Sequence, residues 1–555
     1  MRLSEFAEVN QLSLHISEPT RITPHSQKIL DQFLSNMPQM VKSTAVYPPV
    51  STNDHCTIAM FLLFRFKKAT AYYRKMWDFK NANFDQYRQA LQNTNWEECF
   101  SDETDINAVV NLWTKKVLTT AETSIKNKNV CIRPCDKPWF NNHLRRLLRR
   151  KNKLYKKAKH SKLQQDWENF NRARNDYFSE IKQAKCTYDQ QKYQLLANEN
   201  KASKKWWSLI KKVQCSNDNY EVVPPIETEN AILTKDKDKA EAFNEFFAKA
   251  SQIDDSNAQL PDAGRILDIN NLTSLSVTKQ DIVDQLKILD ISKAYGPDAV
   301  SPVLLKESRN LLVDSLHRIF NLSLKLCRVP SLWKQANVVP IHKKDSRSKT
   351  NNYRPVSLLS VVGKIMERIV FKYIYNHFKE NFIISVFQSG FLPGLSTVTQ
   401  LLEVYHELCR AVDNGKEVRI ICLDISKAFK MVWHKGLLFK LKRTGIGGKL
   451  LGWFTDYLKD RYQRVVINGQ QSKWKEIKAG VPQGSVLGPI LFLIFIDDIV
   501  HVIRHCKIRM FADDTCLFIE VDNRNETAEL INEDLDAIDA WSKQWLVDFS
   551  ATKTK

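Results

Sequence analysis

IRMFADDTCLFIE, Ile508 to Glu520, is the stretch whose reading decides the fold of this chain. Two apolar runs flank a pair of acids, the pattern of a strand, a tight turn and a second strand. Acids are ordinary turn formers. Here, though, Phe511 and Leu517 crowd the pair from either side, and no Gly or Asn makes the turn. Two adjacent, half-buried carboxylates repel each other and lose hydration unless cations neutralise them. A second stretch, VRIICLDISKAF (Val418 to Phe429), places Asp424 at the end of another apolar strand. If the two strands pair, Asp424, Asp513 and Asp514 converge. Three carboxylates at one point form the donor set of a two-metal phosphoryl-transfer site, where one ion activates an attacking hydroxyl and the other holds a triphosphate.

Composition supports a polyanionic partner. The chain has 555 residues with 83 Lys+Arg against 62 Asp+Glu, a formal charge of +21. Such an excess points to nucleic acid. A membrane is disfavoured, because the longest apolar run, Val486 to Ile496, contains Gly488 and Pro489 and is too short to span a bilayer. With 43% hydrophobic residues the chain is not disordered, and its 11 cysteines, scattered without a CxxC pair, read as reduced thiols rather than a disulfide or zinc framework. An intracellular setting, nucleus or cytoplasm, is the expectation.

Glycine divides the chain. All 15 glycines lie between Gly264 and Gly488, so the tight turns that a phosphate-handling site needs are expected in the second half. There, helical patterns alternate with β-rich runs at Val418 to Leu423, Arg464 to Ile467 and Thr515 to Ile519, an α+β texture. Residues 1–75 mix short apolar runs with strand-like segments. Residues 76–260 read as helical and basic. Their densest stretch, Leu144 to His160, has nine Lys/Arg and no acid, with Leu144, Leu147, Leu148, Leu154 and Tyr155 as an apolar stripe. Arg145, Arg146, Arg149, Arg150 and Lys151 are its candidate phosphate contacts. Trp206 and Trp207 read as core anchors.

The ordered motifs Asp424–Phe429, Gly480–Ser485 and Phe511–Asp514 resemble the palm of reverse transcriptases. The phrases KAYGPDAVSPVLLK (Lys293 to Lys306), VVPIHKKDSRSKTNNYRPVSLLSVVGKIMERIV (Val338 to Val370), QSGFLPGLSTVTQLL (Gln388 to Leu402) and AGVPQGSVLGPILFLIFIDDI (Ala479 to Ile499) resemble non-LTR, jockey-like retrotransposon polymerases. The resemblance implies right-hand fingers and palm over residues 261–555, with the thumb expected to be missing. It implies an RNA-directed DNA polymerase using two Mg²⁺ (Mn²⁺ able to substitute), an RNA template, a DNA primer or target DNA, and dNTPs. Asp424, Asp513 and Asp514 would be the metal ligands. Phe429 would be the gate against a ribose 2′-hydroxyl, and Gln483 and Gly484 would meet the incoming nucleotide. Lys343, Lys344 and Arg354 would grip the triphosphate, and Lys553 would protonate the leaving pyrophosphate. This chain departs from the family at Lys430, where Asp is usual, at Leu392 and Leu395, where arginines are, and at Ser550, where Asn is. Lys430 is expected to add a positive charge close to the metals.

SEPTRITPHSQKILDQFLSN and STNDHCTIAM resemble the last part of an apurinic-type α/β endonuclease, with Asp31, Asp54 and His55 at its late catalytic positions. The expected layout is an inactive endonuclease remnant over 1–70, a basic helical connector over 71–260, and the polymerase over 261–555. The competing reading is a catalytically impaired nucleic-acid-binding remnant.

Overall fold

The computed structural model describes residues 3–23, 26–49, 55–63, 72–132, 137–161, 163–201, 203, 206–207, 209–210, 223–229, 231–261, 271–551 and 553–554. Contacts divide the chain into two compact units, Met1–Tyr72 with Cys131–Val222, and Tyr73–Val130 with Val223–Lys555. These units do not follow the expected connector of residues 71–260. Its two ends belong to the unit that carries the three carboxylates, and its middle belongs to the other.

Helix Ile106–Ser124 shows the reason. Asp105 caps it, accepting from the Asn107 amide at 2.8 Å. Ile106, Val109, Val110, Trp113, Val117 and Ala121 recur at helical spacing and are all buried. They share one core with Leu312, Leu316, Ile319 and Phe320 of helix Arg309–Leu326. Within that seam Trp113 Nε1 donates to Ser315 Oγ at 2.9 Å. Burying a large apolar side chain contributes roughly 1.5–3 kcal/mol, so a stripe of this length binds residues 73–130 firmly into the second unit.

Two sheets of this unit frame the site. In the first, Gln335–His342 runs antiparallel to Tyr353–Leu358 and parallel to Arg461–Ile467; Arg461–Ile467 also pairs antiparallel with Gln470–Gln471 and Lys475–Ile477. In the second, Glu417–Asp424, Asp514–Val521 and Lys507–Phe511 form an antiparallel sheet with Asp514–Val521 in the middle. The apolar run read above as too short for a membrane becomes helix Leu487–Ile496, in which every residue but Pro489 is buried. Among the described residues no helix is long and apolar enough to cross a membrane.

The first unit holds short antiparallel pairs, the longest being Val41–Tyr47 with Thr57–Leu62. It also holds helices Asn142–Ser161 and Gln164–Asn198, joined by Tyr155 packing on Phe170 and Trp167 at 5.3 and 6.1 Å. Trp206 and Trp207 meet edge to face at 4.9 Å, but Trp207 is exposed, so the pair is not the core anchor expected of it.

Candidate active site

Strand register sets Asp424 beside Asp514. Asp424 pairs with Asp514 across the central strand, and Phe511 pairs with the same Asp514, which closes a two-residue turn of Ala512 and Asp513. Because side chains alternate along a strand, this register decides which carboxylates can face one point. Ala512 sits at φ +57, an unfavourable conformation for a residue with a Cβ. Its amide donates to Gln388 Oε1 at 2.8 Å, and the Gly390 amide donates to the same oxygen at 2.7 Å. Ser389 N donates to Met510 O at 2.9 Å, and Met510 N to Phe387 O at 2.8 Å. The strained turn is thus held from outside by Phe387–Gly390, the kind of support that backbone strain at a functional site requires.

Asp513 is half-buried and its carboxyl is pushed above the usual range, first by burial and then by the charges of Asp514 and Asp424, with Lys553 opposing. Asp424 carries a cation already: Lys553 Nζ lies 2.5 Å from its Oδ2. The backbone holds that lysine in place, with Ser550 N donating to Asp424 O at 2.8 Å and Ser426 N to Asp548 O at 2.7 Å. Lys343 completes the charge pattern. Burial lowers its pKa first, and the neighbouring charges of Lys553, Arg354 and Lys344 lower it further, while Asp424 opposes them. Lys344, Arg354 and Lys553 therefore stand around Lys343, which also feels the Asp424 carboxylate. Arg354 is set there by its pairing with Ile341 in the antiparallel strands.

Among the described residues no group of three or more His, Cys, Asp or Glu side chains is close enough to hold a metal ion. The donor chemistry nevertheless fits a hard divalent cation. All three candidates are carboxylates, the hard oxygen donors such an ion takes. Lys553 engages only Oδ2 of Asp424.

Phe429 lies on the single turn Ala428–Lys430, stacked on Phe492 at 4.9 Å and met edge-on by Phe391 at 5.7 Å. Gln483 O accepts from Ser357 N at 3.1 Å. Gly484 has φ +105, and a Cβ there would lie 2.8 Å from Ser357 O, so the close approach requires glycine. Lys430 corrects the expectation of an added charge beside the metals: its ammonium lies over the ring of Phe247 at 4.9 Å instead. Leu392 packs against the core, whereas Leu395 is exposed.

Sequence reasoning missed two supports. Gln388, which opens the QSGFLPG phrase, holds the carboxylate turn as described. Glu367 is buried and accepts from Val486 N at 2.6 Å and Leu487 N at 3.2 Å, anchoring the chain just after Gly484. Burial pushes its carboxyl up. A lone acid in the apolar run KIMERIV was the only available signal for it.

In the other unit, His55 Nδ1 lies 2.9 Å from Asp31 Oδ2. Hydrogen bonds from His55 and then from Thr20 hold the Asp31 carboxyl below its usual range. Thr20 Oγ1 also accepts from the Leu30 and Asp31 amides at 2.9 and 3.0 Å. Asp54 lies outside the described residues. On helix Asn142–Ser161, Arg146, Arg149 and Arg150 are exposed, and Arg145 is partly covered over the Phe140 ring. Lys151 is buried between Tyr177 and Phe178, 5.3 and 5.6 Å from their ring centroids, so it is not on the exposed basic face.

The antiparallel sheet thus carries Asp424 and Asp514 at paired strand ends, with Asp513 on the strained turn beside them. Residues 341–555 match the family described as reverse transcriptase (RNA-dependent DNA polymerase). It is similar to the probable RNA-directed DNA polymerase from transposon BS of Drosophila melanogaster, 32% identical over 283 residues, which cover 50% of this chain and 31% of the relative. It is likewise similar to the RNA-directed DNA polymerase from mobile element jockey of Drosophila melanogaster, 32% identical over 286 residues, with the same two coverages. A third relative is the probable RNA-directed DNA polymerase from transposon X-element of Drosophila melanogaster, 30% identical over 269 residues, 47% of this chain and 29% of the relative. The chain thus spans less than a third of the length of these relatives.

Proposed function

We propose that this chain is an RNA-directed DNA polymerase of a non-LTR retrotransposon, extending a primer 3′-hydroxyl with dNTPs on an RNA template. The observation that carries the reading is the register that sets Asp424 against Asp514 beside Asp513, with Lys343, Lys344, Arg354 and Lys553 clustered nearby. Asp424, Asp513 and Asp514 would hold two Mg²⁺ ions, which supply hydroxyl activation and stabilise charge on the phosphates. The chain's own groups do the rest. Lys343, Lys344 and Arg354 bind and orient the triphosphate. The ring of Phe429 excludes a 2′-hydroxyl. Gln483 and Gly484 bring backbone close to the incoming nucleotide. Lys553 leaves Asp424 as the triphosphate enters and donates its proton to the departing pyrophosphate oxygen.

In this reading residues 1–70 are an endonuclease remnant, supported by the Asp31–His55 pair. The exposed arginines of helix Asn142–Ser161 belong to a nucleic-acid-binding connector. The experiment is primer extension on poly(rA)/oligo(dT) with Mg²⁺. The wild-type chain is expected to incorporate dTTP and Asp513→Asn to lose it by about a thousandfold or more. Wild-type incorporation no greater than that of the variant sinks the reading.

A further inference from the structure

We propose that Phe247 and Asp255, both upstream of the matched residues 341–555, are positioning residues for the Phe429 gate. The proposal rests on the polymerase reading above. Phe429 sits on a single turn, Ala428–Lys430, which is too short to fix its own orientation. Phe492 and Phe391 pack the ring itself, and segment Asp236–Asp255 braces the backbone around it through three contacts.

The first contact is Lys430. Its ammonium lies 4.9 Å from the Phe247 ring centroid and 5.9 Å from that of Phe246, both on helix Asp236–Lys249. The Phe247 ring is itself buried. A cation over an aromatic face gains most when both are desolvated, so the residue next to the gate is drawn into a fixed pocket. The second contact is Trp433, whose Nε1 donates to Asp255 Oδ2 at 2.9 Å; Lys435 pairs with the same oxygen at 2.9 Å. These hydrogen bonds, Trp433 first, hold the Asp255 carboxyl below its usual range. The third contact is backbone, with Ala479 N donating to Ser251 O at 3.1 Å. Two residues on, Val481 N donates to Phe429 O at 2.8 Å. One upstream segment therefore ties down both the gate turn and the strand end that leads to Gln483 and Gly484. A loosened gate turn lets the Phe429 ring move aside and admit a 2′-hydroxyl, so the observable is sugar discrimination rather than turnover alone.

The test compares Phe247→Ala, Asp255→Ala and Asp255→Asn in the full chain. Two quantities are read: the ratio of dTTP to UTP incorporation, and amide hydrogen exchange in peptides spanning Lys427 to Trp433. Phe247→Ala and Asp255→Ala are each expected to lower the ratio roughly tenfold and to speed exchange in those peptides. Asp255→Asn, which keeps an acceptor for Trp433, is expected to restore both, a rescue that a general loss of stability would not give. An unchanged ratio and unchanged exchange in the alanine variants overturn the proposal. A wild-type chain that incorporates nothing overturns the polymerase reading instead, and exchange alone then decides whether these residues hold the turn. If Phe247→Ala does not fold, the Asp255 pair carries the test.

Discussion

Gly390→Ala probes how the acidic turn is held. A Cβ at Gly390 would overlap the backbone nitrogen of Ala512 and come within 2.9 Å of its Cα. Backbone cannot swing aside as a side-chain end can, so the two segments must part. Parting removes the Gln388 acceptor from the Ala512 amide, at 2.8 Å, and breaks the bond from Ser389 N to Met510 O at 2.9 Å. A buried donor left without its partner costs about 1–3 kcal/mol, so a loss of roughly 2–6 kcal/mol in stability is expected from the Ala512 and Ser389 amides together. A displacement of about 1 Å at the Asp513 carboxylate costs about a hundredfold in turnover. Gly415→Ala is the control: that glycine has φ +71 and nothing near its Cβ, so only backbone strain of about 1 kcal/mol is added and turnover should hold. The assay is dTTP incorporation on poly(rA)/oligo(dT), with urea midpoints measured in parallel. Gly390→Ala turnover within about threefold of wild type would refute the argument that Phe387–Gly390 supports the turn.

Phe429→Ala is expected to raise UTP incorporation relative to dTTP by about tenfold or more; an unchanged ratio removes the gate assignment. Asp298 is buried and pushed up to about 6 by burial, above its ordinary 3.8. Between about pH 4 and about pH 6 the folded chain therefore keeps a proton that the unfolded chain has released, and stability falls as pH rises across that window. Asp298→Asn should flatten this fall by up to about 3 kcal/mol, read as urea midpoints on either side of it. Arg146, Arg149 and Arg150 changed together to Ala should reduce the salt slope of RNA binding by about 2. Lys151→Ala should leave that slope unchanged, because its ammonium is packed between two rings.

Local patterns carried the carboxylates. Asp424 ends an apolar run and Asp513–Asp514 interrupts one, and pairing of those strands sets Asp424 opposite Asp514. The β-rich runs read at Val418 to Leu423, Arg464 to Ile467 and Thr515 to Ile519 lie within strands Glu417–Asp424, Arg461–Ile467 and Asp514–Val521. The destination of Lys430 was not legible, because its aromatic partners stand about 180 residues upstream on a helix whose amphipathic pattern does not say what it packs against. Gln388 and Glu367 escaped notice for a related reason. Each acts by accepting from backbone amides, and backbone amides carry no residue-type signal. The connector was read as one body because missing glycine and basic charge are shared along it, whereas the buried stripe of helix Ile106–Ser124 assigns residues 73–130 elsewhere.

The interleaving of the two units has a consequence for synthesis. Trp113 leaves the ribosome long before its partner Ser315, 202 residues later in the chain. At about 5–20 residues per second that gap lasts roughly 10–40 s. During that time the apolar stripe of helix Ile106–Ser124 has only the upstream Phe84–Gln92 and Glu97–Phe100 against it and lacks the cover of helix Arg309–Leu326, while residues that belong to the other unit emerge. Slow elongation through residues 131–315 should therefore lower the soluble yield, and a chaperone that shields apolar helices should raise it.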